Sequence, residues 1–439
     1  MFSMFVNAFK VKDIRKKLFF TFLCLIVVRI GSIIPAPGIK QEVVSSFMST
    51  LQLGFFDAMT GGSFTQLSIF ALNISPYITA SIIMQLLTIA IPKLAEMQKD
   101  GESGRKKIAE ISRYLTVLLA LIEATPMAIG FSNKGYTSEG VLTIIVIVAS
   151  FTAGSAFLMW LGENITERGV GNGISIILLI NIVAGLPETF INLFKNFVTG
   201  ASKAVYGVLG AVVIVAVVIL TLVLIVLLQD AERKIAVQYS KKVQGRKLVG
   251  GSSTFIPLKV NTAGVIPVIF AMSIYQFPII ISSFFGKTPS RGPSLWNKIL
   301  YMCSSSSWFN FKDGAFKYTL GAVFYVIMII FFAYFYTSVT FNPMEVANNM
   351  KKNGGFIPGI RPGKPTTDYL NKVLKYIVFI GAVGLAIVAL IPIFFSGAFN
   401  AQISFGGTSL IIVVGVILET MKQIESQLLV RHYKGFLND

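Results

Sequence analysis

Residues 141–161 read VLTIIVIVASFTAGSAFLMWL and contain no charged side chain. A helix needs about 20 consecutive apolar residues to cross a bilayer core that is about 30 Å thick. This stretch meets that requirement. It therefore predicts a membrane-spanning helix, and the chain that contains it is expected to be a membrane protein.

Further stretches of the chain have the same character and raise the predicted number of spans to ten. They are Leu18–Ile34, Ser75–Ile91, Tyr114–Phe131, Ile174–Phe190, Tyr206–Leu228, Ala263–Phe284, Tyr318–Phe341, Val373–Phe395 and Thr408–Leu428. The first resembles a signal peptide, but Arg29 interrupts it and Pro35-Ala36-Pro37-Gly38 is a poor cleavage site, so we expect it to be retained. The predicted fold class is all-α, a polytopic membrane protein with ten transmembrane helices.

The composition agrees with this class. Hydrophobic residues make up 54% of the chain and charged residues only 13%, whereas soluble domains carry roughly 25% charged residues. The 38 Lys and Arg residues nevertheless outnumber the 20 Asp and Glu residues and leave a formal charge of +18. An even number of spans places both termini on one side, and most of the basic residues fall in loops on that side. By the positive-inside rule, we expect both termini to be cytoplasmic.

Two of these loops, residues 229–262 and 342–372, are long, polar and basic. Both are longer than a simple connection between two spans requires. One interpretation is that they only set the topology and attract anionic lipid. The other is that they form a docking surface for an acidic partner or for RNA phosphates. The extra length favours docking.

The residue types needed for catalysis are scarce. The chain has two cysteines, Cys24 and Cys303, and one histidine, His432, which leaves little for a disulfide scaffold, histidine catalysis or a metal site. A glycine-lysine pair at Gly363 invites a P-loop interpretation, but Pro358 and Pro365 occupy the positions of its first glycine and its Ser/Thr. The sequence predicts no catalytic residue, no metal and no cofactor. The chain is then not an enzyme, and a partner or a gradient must supply any energy.

Ionisable residues inside predicted spans often mark pumps and ion-coupled transporters. The candidates here are Arg29, Glu123 and Glu419. They do not form the chain of carboxylates that a proton relay needs. We therefore favour structural roles for them, with Arg29 either pairing with a carboxylate or extending toward the interface.

Residues 55–72 do not fit a simple span. They are half apolar, carry Asp57, Gly61, Gly62 and Gln66, and run into a proline at Pro76. A broken helical segment at membrane depth is tolerated only where it is buried in protein or lines a water-filled cavity. The segment is therefore either part of a central pathway or an ordinary re-entrant loop on the outer side. The composition leaves both possibilities open.

Several strings along the chain resemble the SecY family, which provides the channel subunit of the bacterial protein translocase. They cover the chain from end to end in the family's order: Arg29–Ile39, Ser68–Leu72, Pro76–Ile83, Gly101–Lys107, Ile165–Ser175, Pro257–Asn261, Phe356–Gly363 and Phe405–Leu410. The resemblance implies two inverted halves of five helices each, residues 1–190 and 191–439, around a central hourglass pore closed by a plug.

The resemblance also implies roles for individual residues. The pore ring would consist of Ile74, Ile78, Ile174, Leu178, Ile269 and Ile412, with Leu178 at a position where relatives carry isoleucine. The plug, about residues 55–72, would include Phe55, Gly61, Gly62, Phe64 and Ile69. Gln85 and Asn261 would belong to the lateral gate, and Arg246, Lys247 and Arg361 would dock a motor or the ribosome.

The function implied by the resemblance is transport of unfolded secretory polypeptides across the plasma membrane, with sideways release of transmembrane segments into lipid. Implied partners are SecE, SecG, the motor ATPase SecA, the ribosome, signal peptides and nascent chains, and membrane lipids. Two other classes fit the span count: a secondary transporter with a polar site at mid-membrane, and a scaffold that only anchors ribosomes through its basic loops.

Overall fold

The computed structural model describes residues 9–39, 60–133, 140–194, 204–239, 242–244, 247–249, 253–284, 294–304, 308–309, 319–399 and 407–435. Two predicted site residues, Phe55 and Arg246, lie outside the described residues. The chain divides into two compact units. The first comprises Met1–Val208, Phe277–Tyr301 and Ala401–Asp439, and the second comprises Leu209–Gln276 and Met302–Asn400.

The first unit is built from helices. In chain order they are α1 (Lys12–Ile33), α2 (Ser75–Ala90), α3 (Pro92–Lys99), α4 (Glu102–Asn133), α5 (Val141–Arg168) and α6 (Gly173–Phe194). Helix α4 packs along both α2 and α5. At one end of the α4–α5 pair, Arg113 Nε donates to Glu163 Oε1 at 2.9 Å. The apolar surfaces of α4 and α5 that face away from their neighbours stay exposed, as expected for helices in contact with lipid.

Proline and glycine set the boundaries of these helices. Pro76 lies in the first turn of α2, where its missing N–H costs no hydrogen bond. Pro92 begins α3 after a bend of 106° at Ile91. Gly171 has φ of 81° in the turn before α6, and the side chain of Asn172 accepts hydrogen bonds from the backbone N–H groups of Ile174 and Ser175. These contacts cap the start of α6.

The second unit combines helices with a small sheet. Helix α7 (Ala204–Asp230), which begins in the first unit, is followed by strands β1 (Glu232–Tyr239), β2 (Lys242–Gln244), β3 (Lys247–Val249) and β4 (Ser253–Lys259). The remaining elements in chain order are α8 (Ile266–Phe284), α9 (Leu295–Cys303), α10 (Leu320–Thr340), α11 (Pro343–Lys352), β5 (Gly355–Phe356), α12 (Lys364–Phe399) and α13 (Gly407–Gly435). Helix α13 and parts of α8 and α9 belong to the first unit.

Strands β1 and β4 form an antiparallel hairpin, and β5 pairs with the other edge of β1. Ile235 and Val237 alternate with exposed residues along β1 and point into a buried cluster. That cluster also contains Met350 of α11 and Leu370 of α12. The hairpin, α11, β5 and the first turns of α12 therefore pack as one body, which we call the extramembrane module.

A helix overlaps most of each of the ten predicted spans, although the helices at Ile34, Ile91, Ala263 and Phe341 stop short of the predicted ends. Four segments of the described part are long and apolar enough to cross a membrane, and the bent pair α2–α3 adds a fifth. The fold is mostly helical, as predicted, and the extramembrane module is the exception to the all-α class. The compact units do not coincide with residues 1–190 and 191–439, because α13 packs against α6 and joins the first unit. The count of ten crossings and the two inverted halves stay predictions.

Candidate functional site

Residues 60–72 are the described part of the predicted plug, and Asn73 and Ile74 join them to α2. After Thr60 they are a succession of turns. The expectation of a broken helical segment is wrong for residues 61–74, because they form turns closed by local backbone bonds, such as Leu67 N–H to Phe64 O at 3.1 Å. Positive φ angles at Gly61, Gly62 and Leu67 turn the chain repeatedly.

This segment is paired with the chain that follows α1. The backbone N–H of Ile69 donates to Ile34 O, and the N–H of Ala36 donates to Leu67 O, both at 3.0 Å. Phe64 and Leu67 are buried in an apolar cluster with residues of α4 and α5. The segment is thus an integral part of the first unit, fixed by backbone bonds at one edge and by apolar packing beneath.

Two polar contacts hold the ends of the segment. At one end Arg29 of α1 donates from Nη1 to Gly61 O at 3.2 Å. At the other end Asn181 of α6 donates from Nδ2 to Asn73 Oδ1 at 3.2 Å, and both side chains are buried. Arg29 therefore bonds to a backbone carbonyl, where the sequence predicted a carboxylate partner or extension to the interface. A side-chain hydrogen bond from a neighbouring helix thus holds each end of residues 61–73.

Asn181 is a site residue that the sequence interpretation missed. It lies next to Gly61, since a Cβ on that glycine would come within 2.6 Å of Asn181 O. Among the described residues its Oδ1 has no hydrogen-bond partner. The sequence did contain a signal for this residue, since Asn181 is the single amide in the apolar run from Ile174 to Phe190. A polar side chain inside a predicted span usually faces protein or water and so marks a contact.

The backbone of the segment also packs closely against α5 at Gly154. This contact can be tested by substitution. A Cβ there would overlap the carbonyl oxygen of Ile69. We expect Gly154→Ala to destabilise the protein by about 1–3 kcal/mol, because the overlapping atom belongs to the backbone and cannot rotate away. Thermal unfolding in detergent measures the effect.

Gly185→Ala in α6 is the matched control, because a Cβ at Gly185 meets no atom within 4 Å. This substitution should be neutral or stabilising by up to about 1 kcal/mol. Equal melting temperatures for the two variants would contradict the close contact between α5 and Ile69.

The residues of the predicted pore ring occupy different surroundings. Ile74 is fully buried just before α2, and Leu178 and Ile412 are buried in α6 and α13. Ile78 is half-buried in α2, and the half-buried Ile174 packs beside Gly162 of α5. Ile269, also buried, lies on α8 in the second unit, whereas the other five belong to the first. Their assembly into one ring stays a prediction.

The two predicted lateral-gate residues belong to different units. Gln85 is half-buried on α2 and its carbonyl accepts a bond from Thr88 Oγ1 at 2.8 Å. Asn261 is 6% exposed in the turn between β4 and α8. Within the described ranges its Nδ2 has no hydrogen-bond partner. A buried amide with an unused donor costs free energy, so Asn261 has a spare donor for a ligand or a rearranged neighbour.

The predicted docking residues lie on or beside the extramembrane module. Lys247 belongs to β3, which pairs with β2 in the same connection between β1 and β4. Arg361 is exposed in the loop before α12, where its carbonyl accepts a bond from Thr366 Oγ1 at 2.9 Å. Gly359 and Gly363 on either side have positive φ. The two long basic loops, predicted as separate, thus meet in one packed body. The part of the chain that the structure describes contains no cluster of His, Cys, Asp or Glu suited to a metal.

The chain is similar in sequence and fold to one family of known proteins. A family model described as SecY matches residues 68–421. The protein translocase subunit SecY of Halalkalibacterium halodurans is 45% identical over 448 residues, and that of Bacillus subtilis is 43% identical over 450 residues. Both alignments cover 100% of this chain and 100% of the relative.

Solved structures share the fold at low sequence identity. One is a SecY structure described by a plug domain that stabilises the closed state of the translocation channel, with a TM-score of 0.63 and 19% identity over 94% of this chain and 92% of that one. Another is Sec61 in the canine ribosome–channel complex, with a TM-score of 0.56 and 17% identity over the same shares of the two chains.

Proposed function

Because the chain belongs to the SecY family of protein translocase subunits, we propose that it passes unfolded secretory polypeptides across the membrane and releases apolar segments sideways into lipid. One observation carries this proposal. Residues 60–72, at the position of the plug, and the adjoining Asn73 are held by hydrogen bonds from Arg29 and Asn181. An entering chain would displace this closure by breaking these hydrogen bonds, the backbone pairing with Ile34 and the packing of Phe64 and Leu67.

The predicted pore residues suit a substrate of variable sequence. A channel that carries many polypeptides gains nothing from specific polar ligands, whereas an aliphatic constriction excludes water around any chain. Ile74, Leu178, Ile269 and Ile412 are buried among protein atoms, and Ile78 is half-buried. We propose that these five residues and Ile174 line one constriction.

Lateral release follows from partition between the channel and lipid. Burying a leucine-sized side chain in an apolar environment is favourable by about 1.5–3 kcal/mol. A segment with many such side chains therefore leaves the channel for lipid when a seam opens. The spare donor of Asn261 and the half-buried position of Gln85 support their assignment to that seam.

The driving partner is proposed to bind the extramembrane module. Lys247 lies between β1 and β4, and Arg361 lies in the loop before α12. These two loops are far apart in sequence, and the buried cluster of the extramembrane module joins them. Their positive charge fits an acidic surface or RNA phosphates. Neighbours of known structure include ribosome-bound channels, which supports the ribosome as one partner, and family membership supports SecA, SecE and SecG. The plasma membrane is the proposed location, with both termini cytoplasmic.

Photo-crosslinking of an arrested polypeptide tests the channel assignment. A photoreactive residue at Ile78 or Ile269 should crosslink to the translocating chain in reconstituted vesicles, because both positions line the proposed path. Ile145 and Ile327, which are 61% and 54% exposed on α5 and α10, provide matched controls. Crosslinking at the controls alone, or at none of the four positions, would contradict the channel path and favour a scaffold.

A further inference from the structure

Helix α9 has an apolar face that the channel function does not use. Leu295, Trp296 and Ile299 are 77%, 43% and 48% exposed. At 100° per residue these three side chains fall on one stripe of the helix, while Leu300 points inward and is fully buried. Lys298 is also exposed, and it flanks the stripe at about 60° from Leu295 and about 100° from Ile299 around the helix.

The length of α9 excludes one explanation of this exposure. Nine residues form a helix about 14 Å long, which is less than half of the bilayer core. The helix therefore does not cross the membrane as α5 does. Its apolar stripe needs another environment that excludes water.

A hydrogen bond fixes the depth of α9. Trp296 Nε1 donates to Ser282 Oγ at 2.9 Å. Ser282 lies in the last turn of α8, which has 19 residues and a length close to the thickness of the bilayer core. The first turn of α9 is thus held at the level where α8 reaches the edge of the hydrocarbon.

The surface of α8 next to the Trp296–Ser282 hydrogen bond is apolar and exposed, as expected for a surface that faces lipid. Phe277 of α8, less than two turns before Ser282, is 63% exposed on a helix that the sequence predicts to span the membrane. Tryptophan, whose ring is apolar and whose N–H needs a partner, is enriched at membrane–water interfaces. The exposed stripe of α9 and the exposed flank of α8 therefore meet at one interface.

We propose that α9 is an interfacial helix that lies in the lipid headgroup region, with Leu295, Trp296 and Ile299 inserted toward the acyl chains. The occupant of the stripe is the bilayer itself. Lys298 is the single basic residue between Ser294 and Ser304, so apolar burial drives the contact and anionic lipid is not required.

Site-specific fluorescence tests the proposal in the full-length chain. In a Cys24→Ser, Cys303→Ala background, single cysteines replace Ile299 or, as the control, Lys298, and each is labelled with an environment-sensitive fluorophore. The protein is reconstituted in phosphatidylcholine nanodiscs at one copy per disc. Iodide should quench the label at position 299 several-fold less efficiently than at 298. Lipid carrying a nitroxide near the headgroup should quench position 299 more than lipid carrying it deep in the acyl chain.

Equal iodide quenching at positions 298 and 299 would overturn the proposal. Protection of position 299 only in vesicles that hold several copies would also overturn it, because a second copy would then cover the stripe. Leu295→Cys on the same face gives the same comparison if Ile299→Cys does not fold. Replacing half of the phosphatidylcholine with anionic lipid should leave the quenching unchanged.

Discussion

Arg361→Glu is expected to lower motor-driven transport of a secretory precursor into vesicles by about tenfold or more, which corresponds to at least about 1.4 kcal/mol. The side chain of Arg361 is exposed in a loop whose backbone is fixed by Thr366 and by the turn at Gly363. Reversal of the charge replaces attraction to an acidic partner by repulsion, and it leaves the apolar cluster of the extramembrane module intact. ATP-dependent uptake by vesicles that contain the variant measures the effect.

Lys298→Glu is the control for this experiment. It makes the same change of net charge at an exposed residue on α9, which is not part of the extramembrane module that carries Arg361. Transport should stay near the parental rate. Both variants should also show the parental melting temperature, since neither side chain is buried. Normal transport by Arg361→Glu would remove the docking role of this loop.

The double change of Ile78→Gly and Ile269→Gly is expected to raise the resting ion conductance of reconstituted channels by roughly tenfold, because an apolar constriction excludes water and ions only while its side chains fill it. Ile269 is buried on α8 and Ile78 is half-buried on α2. Planar-bilayer recordings without a translocating substrate measure the leak.

The matched control is Ile145→Gly with Ile327→Gly. It removes the same atoms and adds the same glycines to helix interiors, each at a cost of about 1 kcal/mol relative to alanine. Because Ile145 and Ile327 lie on exposed faces, the control should not leak. If both double variants conduct equally, the leak comes from weakened helices and the ring assignment fails.

The spanning helices were predictable from the sequence because their signal is local. A run such as 141–161 has no charge over a bilayer's length, and the structure places α5 there. The hairpin carried a local signal too. Ile235 and Val237 alternate with the exposed Lys234, Ala236 and Gln238 in β1. Such a strand is too short and too interrupted to be recognised as an apolar run of spanning length.

The plug region differed from its prediction because its conformation is not decided locally. Its proline and glycines indicated only that a regular helix stops there. The turns of residues 60–74 persist because Ile34 and Ala36 pair with them, and because Asn181 reaches Asn73 across 108 positions of sequence. Because Asn73 and Asn181 are so far apart in sequence, no local pattern identified Asn181 as a site residue.

By itself, the sequence determined that this is a polytopic helical membrane protein of the SecY type, and which of its loops carry the positive charge. The length of an apolar run and the charge of a loop are local properties of the sequence and do not depend on tertiary contacts. Only the tertiary structure decided that Arg29 and Asn181 hold the segment at Gly61 and Asn73, and that two basic loops form one module. A buried polar group takes whichever partner the packing brings within hydrogen-bonding distance, and that partner lies far away in sequence.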